Sequence, residues 1–173
     1  MGSSPLPFRS ELVSHRSPQD ETYERRMNLV KQTWRSVEFG LGHKATQAFY
    51  DRLFANHLDT RRLFAGVGME GQSRKLYDLL RLAVRSLDDL DAIIPTVQEM
   101  GRRHARSYGV VRDHYGAVTQ AFIEILHQYI CSQLGHMAHS RYLVDVADAW
   151  AWCLNLIGNI MADAADEAGI TTG

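Results

Sequence analysis

His104 is the side chain in this sequence best placed to hold a metal. It lies in MGRRHARSYGV, residues 100–110, downstream of Ile93, Ile94, Val97 and Met100, which recur at three- and four-residue steps. A helix here puts His104 on the same stripe as those apolar residues. An imidazole carried into an apolar interior is costly unless its nitrogens find partners. A metal bond on one nitrogen and a hydrogen bond on the other satisfy both. The competing use is a hydrogen-bonded core or surface histidine. Gly101 is expected to remove bulk beside the ring, although glycine weakens a helix. Other histidines lie less well: His127, His136 and His139 near a helix end and a loop, His15 in the N-terminal stretch, His43 and His57 flanking the second helix. Cys131 and Cys153 could bridge or attach a bilin, but small buried thiols are the simpler reading.

The elements that must position His104 are helices. Residues 1–20 hold three of the four prolines and five serines and read as a flexible arm, followed by one domain over residues 21–170. From Asp20 onward, Met27, Val30, Trp34 and Val37 share a face, and Gly40 and Gly42 end that helix. A second helix is expected over residues 41–57, then a corner over 58–68 that carries Leu63 and Phe64. A third starts near Met69, with Gln72, Leu76, Leu79, Leu80 and Ala83 in phase. Asp88, Asp89 and Asp91 form a turn and offer helix-start carboxylates. Pro95 suits the first turn of the His104 helix, which stops at Tyr108-Gly109. Asp113 opens a fifth helix that Gly135 breaks. A sixth runs over residues 140–167 with Val146, Trp150, Cys153, Leu154, Ile157 and Met161 inward. No period-two run supports a strand, so the fold class is all-α, with six to seven helices.

Composition narrows the partners. The 173 residues carry 19 basic and 20 acidic side chains, so wholesale binding to nucleic acid or to an anionic membrane is not expected. No apolar run approaches a membrane span, and the N-terminus has no signal-type apolar region. Two cysteines make no disulfide framework, so a cytoplasmic location is the default.

Several short motifs then fall into one order: Phe49-Tyr50-Asp51-Arg52-Leu53-Phe54, Arg62-Leu63-Phe64, Gln72-Ser73-Arg74-Lys75-Leu76, Gly101-Arg102-Arg103-His104 and Tyr108-Gly109-Val110. Together they resemble a bacterial-type single-domain globin and the haem domain of flavohaemoglobins, from about residue 24 to 165. The resemblance implies a globin fold around one haem b, with His104 as the proximal iron ligand. It implies Gln72 as the distal residue, 104 − 72 = 32 residues earlier. Tyr50 maps to the distal tyrosine, Phe64 to the phenylalanine that wedges the porphyrin, and Leu76 lies over the haem. Met100, Val110, Tyr115 and Val118 map to the proximal wall, and Lys75 with Arg103 or Arg106 to the propionates. From the residues alone, Tyr50 and Phe64 read equally as core aromatics, Gln72 as a surface residue, and the basic residues as a solvated face.

Two departures from the family pattern stand out. Ala105-Arg106-Ser107 is one residue longer, and the position of the family's glutamate on the last helix holds Ala165, with Asp163 and Asp166 nearby. The resemblance therefore does not imply a strongly electron-donating proximal histidine. Glutamine is a poor iron ligand beside imidazole, so the sixth iron site is expected to stay open. The implied function is reversible binding of dioxygen and other diatomic gases such as CO and NO, in oxygen transport or, with an external reductase, in nitric oxide dioxygenation. Enzyme status stays open: the sequence ends at Gly173 with no G-x-G-x-x-G, so any reductase is expected to be separate. The alternative is a gas or redox sensor acting through a partner protein.

Overall fold

A computed structural model describes residues 18–135 and 140–170. Six α-helices are present among them: α1 (Pro18–Gly40), α2 (Lys44–Asn56), α3 (Met69–Arg85), α4 (Ile94–Tyr108), α5 (Arg112–Leu134) and α6 (Ser140–Glu167). Two 3-10 segments, Leu58–Phe64 and Leu90–Ala92, make the corners, and the described residues contain no strand. α1 begins at Pro18, where a missing N–H costs nothing. Residues 18–20 are thus helical, which corrects the expected boundary between arm and domain; the remainder of the arm, residues 1–17, lies outside the described residues.

α6 is the central helix and packs on α1, α4 and α5. Trp150 at its middle is fully buried, among Val30, Phe49, Leu53, Leu87 and Val146. Its indole N–H donates to the Thr33 hydroxyl at 2.7 Å, which removes the cost of burying that polar atom. Thr46 likewise donates to the Ser73 carbonyl at 2.9 Å and joins α2 to α3. Outside the core, Arg25 pairs with Asp145, Arg26 with Asp148 at 2.9 Å and Lys31 with Asp88 at 2.6 Å. Exposed pairs of this kind each contribute about 0–1 kcal/mol.

Turns end the helices as their residue types dictate. Gly42 and Gly109 adopt φ of 53° and 66°, the left-handed region in which a Cβ is penalised. The turn at Gly42 delays α2 until Lys44, past the start expected from periodicity alone. The aspartates before α4 act differently from expectation. Asp88 is drawn to Lys31, and Asp89, at the cap of the short 3-10 segment, makes no side-chain cap bond. Sequence shows that a carboxylate is available near a helix start but not which cation is closer.

Candidate functional site

α4 presents two different faces. Gly101 and Ala105 turn to α6 and are buried. A Cβ at position 101 would lie 2.5 Å from Cα and 2.6 Å from the carbonyl carbon of Met161. Gly101 is therefore required by backbone contact with α6, which corrects the expectation that it clears space beside the His104 ring. With that face committed, His104 sits on another side of the helix, half-buried, its ring edge-on to Tyr108 at 5.6 Å.

The His104 ring is held by the carbonyl of Met100, 2.8 Å from Nδ1. A carbonyl only accepts, so Nδ1 carries the proton and Nε2 presents a lone pair. Burial holds the imidazole below its ordinary pKa; the bond to Met100 works against this, and the charge of Arg103 adds to it. His104 is thus a neutral imidazole with one oriented, unprotonated nitrogen, the form that binds a metal. The same shift has a stability consequence. Below about pH 6.5 the unfolded chain binds more protons than the folded one, so stability falls as pH drops through that window. Urea midpoints of ligand-free protein at about pH 7.5 and about pH 5 should differ less in His104→Leu than in the parent. An equal pH effect in both proteins would remove His104 as a source.

On α2 and α3, Tyr50 and Gln72 come together. The Gln72 amide nitrogen donates to the Tyr50 hydroxyl at 3.1 Å, although the two residues sit on different helices. Tyr50 is 5 % exposed, and its ring packs on Phe49, Phe54 and Phe64, the last at 5.3 Å with rings near perpendicular. Burial pushes the phenol above its usual pKa, partly offset by the Gln72 bond, so it stays protonated at neutral pH. With Gln72 filling an acceptor position, the phenolic proton is left for another group. Leu76 is half-buried one turn after Gln72 and packs on the core, as does Phe64. Arg74 and Arg102 are taken up by Glu70 and Glu99, whereas their neighbours Lys75 and Arg103 stay exposed, as does Arg106.

The remaining expected wall residues separate. Met100 is half-buried and contributes its carbonyl; Val118 packs on the core from α5. Val110 and Tyr115 line a cavity of about 300 Å³ with Ala105, Ala162, Ala165 and Ile170, between α4, α5 and the end of α6. Gly158 admits Tyr115 there, since a Cβ at 158 would lie 3.0 Å from that of Tyr115. Burial pushes the Tyr115 phenol up to about 12. Ala165 is buried in this cavity wall, while Asp163 and Asp166 both pair with Arg112 on the surface, at 2.8 and 2.6 Å. A second cavity, about 550 Å³ between α1 and α6, is far from this chemistry and lined by mixed charges such as Glu21, Arg25 and Asp145.

His114 was passed over in the sequence. Its Nδ1 accepts the Val111 N–H at 3.0 Å, and its own N–H donates to the Val111 carbonyl at 3.0 Å. This reciprocal cap starts α5 one residue before Asp113. Its Nε2 lies 3.7 Å from Asp59 in the 3-10 corner, tying that corner to the α4–α5 turn. A polar residue three positions after a helix cap was the available signal. Both cysteines are free; burial raises the Cys153 thiol to about 12, as suits a buried small hydrophobe.

Among the described residues no group of three or more His, Cys, Asp or Glu is arranged to hold a metal ion. No helix of the described residues is long and apolar enough to cross a membrane.

Known proteins match in the same terms. The Globin family model matches residues 47–161. The chain is 25% identical over 120 residues to a flavohemoprotein of Bacillus subtilis, covering 68% of this chain and 28% of that protein. It is 31% identical over 97 residues to a flavohemoprotein of Bacillus thuringiensis, covering 55% and 24%. The chain thus spans about a quarter of the length of these relatives. An engineered carbene transferase from Rhodothermus marinus, described as a candidate nitric oxide dioxygenase, superposes with a TM-score of 0.64 at 24% identity, over 84% of this chain and 97% of that one. The family match covers most of the chain, from within α2 through His104 to Met161, and these six helices carry the globin fold, for which a haem is the implied cofactor: the chain belongs to the globin family.

Proposed function

We propose that this globin binds haem b through His104 and takes up dioxygen, or another diatomic gas such as CO or NO, beneath Tyr50 and Gln72. The observation that carries the reading is the 2.8 Å bond from His104 Nδ1 to the Met100 carbonyl. It orients the ring and reserves Nε2 for iron. Phe64, beside Tyr50, and Leu76 would pack on the porphyrin, and Lys75 and Arg103 would pair with its propionates. Val110 and Tyr115, which line one cavity, would contribute the proximal wall, with Met100 beside the ring; Val118 packs on the core instead. When bound, the haem would supply an iron able to take up the gas.

The chain's own residues then set how long the gas stays. The Tyr50 hydroxyl, its proton not taken up by Gln72, would donate to a gas ligand that carries partial negative charge. Gln72 holds the phenol in place and supplies a second N–H. A hydrogen bond to a charged acceptor contributes about 1.5–3 kcal/mol. Tyr50→Phe should therefore release dioxygen at least about tenfold faster, since 1.4 kcal/mol is a factor of ten. Stopped-flow release within about twofold of the parent would remove Tyr50 from this role.

Kinship with flavohemoproteins supports a further step, nitric oxide dioxygenation to nitrate with electrons from an external reductase. Ala165, at the position where the resemblance implies an acid, lines the Tyr115 cavity without a carboxylate, and among the described residues the His104 ring is held by the Met100 carbonyl. A neutral carbonyl raises ligand basicity less than a carboxylate does, which suits gas binding better than cleavage of a peroxide bond.

A further inference from the structure

Tyr50 and Gln72 stand on different helices, so their 3.1 Å separation depends on how α2 crosses α3. That crossing carries a buried polar contact. Thr46, one turn before Tyr50 on α2, donates its hydroxyl proton to the carbonyl of Ser73, the residue after Gln72 on α3, at 2.9 Å. Thr46 and Ser73 are 1 % and 2 % exposed. The same hydroxyl lies 2.7 Å from the His43 carbonyl, just before α2. A hydroxyl has one proton, so it is shared between these two carbonyls.

Little else holds the turn that carries Gln72. α3 begins at Met69 behind Gly68, and no side chain caps it. Glu70 and Arg74 pair with each other on the surface. Met69 and Leu76 pack on the core, but apolar contact is non-directional, whereas a hydrogen bond fails within a few tenths of an ångström. Among the described residues, the next hydrogen bond from α3 to another helix is Tyr77 to Glu38, at 3.3 Å and one turn beyond Ser73. The Tyr50–Gln72 bond is sensitive to such shifts. At 3.1 Å it is near the long end of the N–H···O range, so an outward movement of about 0.4 Å breaks it.

We propose that Thr46 is the positioning residue of the distal pair: its hydroxyl ties down Ser73 and so keeps the Gln72 amide within reach of the Tyr50 phenol. It acts through α3 rather than on a ligand. With the tie in place, the Gln72 N–H fills an acceptor position of the phenol, which directs the phenolic proton elsewhere. Without it, the amide moves out of range and the phenolic proton is free to rotate away. The effect on Gln72 needs no haem; the effect on bound gas rests on the haem reading above.

The test compares Thr46→Val, which keeps the shape of the side chain and removes the hydroxyl, with Thr46→Ser, which keeps the hydroxyl. In NMR spectra of the ligand-free full chain, the Gln72 side-chain amide signals are identified by their loss in Gln72→Ala. They should be displaced from free-glutamine positions in the parent and in Thr46→Ser, and return to them in Thr46→Val. In the haem-loaded chain, Thr46→Val should release dioxygen about three- to tenfold faster, and Thr46→Ser should stay within about twofold of the parent. Added to Gln72→Ala, Thr46→Val should change release by less than about twofold, because the residue it positions is gone. Thr46→Ala, with the same outcomes expected, covers the case in which the valine does not pack. Gln72 signals unchanged from the parent in the hydroxyl-free variants, or an equal acceleration with and without Gln72, overturns the role of Thr46. Absence of a Soret band overturns the haem reading, and the amide signals then decide the role of Thr46 by themselves.

Discussion

Replacing His104 by alanine is expected to abolish stable haem retention. The imidazole presents an oriented, unprotonated Nε2, since its Nδ1 is already engaged by the Met100 carbonyl. Loss of a partner that merely orients a metal ligand costs about 10–100-fold in affinity, and loss of the ligand itself should exceed that. The alanine leaves a space of imidazole shape, so added imidazole should restore a haem spectrum close to the parent's. Transfer of haem to an excess of a haem-free acceptor measures the effect. Transfer rates and iron spectra equal to the parent's would overturn the axial assignment.

Gly101→Ala should have the largest effect on stability among the glycines of the helix interiors. Its new Cβ would meet the Cα and carbonyl carbon of Met161 at 2.5 and 2.6 Å. Both are backbone atoms, so no rotamer change relieves the contact and α4 must move off α6. Overpacking of this kind costs about 1–3 kcal/mol or more, against a gain of roughly 1 kcal/mol from replacing glycine in a helix. The contact is tight enough to put the net loss near 2 kcal/mol, or a Tm lower by about 4–8 °C. Because α4 carries His104, haem affinity should fall with it. Gly116→Ala in α5 is the control: a Cβ there meets nothing within 4 Å, so stability should be unchanged or rise by up to about 1 kcal/mol. Thermal melts of both variants that coincide with the parent's would contradict the packing argument.

These two positions show what was legible in the sequence. Pro95 and Gly109 bracketed α4, because capping is a local property; the stripe read as inward was Val97, Met100 and His104, whereas Val97, Gly101 and Ala105 are the buried ones. The limits of α6 were equally legible from its long apolar face. What each face meets is not local. Gly101 read as space beside His104, and the structure puts it against Met161, since two faces of one helix differ by a single residue step. Tyr50 and Gln72 read separately as a core tyrosine and a surface amide. Only the family resemblance suggested that α2 and α3 cross so as to join them, as they do at 3.1 Å. His114 and Asp59 are 55 residues apart (114 − 59 = 55), and nothing in the local pattern of either announces the other.

The central claim is that His104 holds a haem iron whose opposite side is open to a gas under Tyr50 and Gln72. The most direct measurement is the absorption spectrum of the purified, haem-supplemented protein in its ferric, ferrous and carbonmonoxy forms. A Soret band, a ferrous form with a vacant sixth position and a prompt shift on adding carbon monoxide are expected. No Soret band, or a ferrous form closed by a second protein ligand that carbon monoxide does not displace, would contradict the claim.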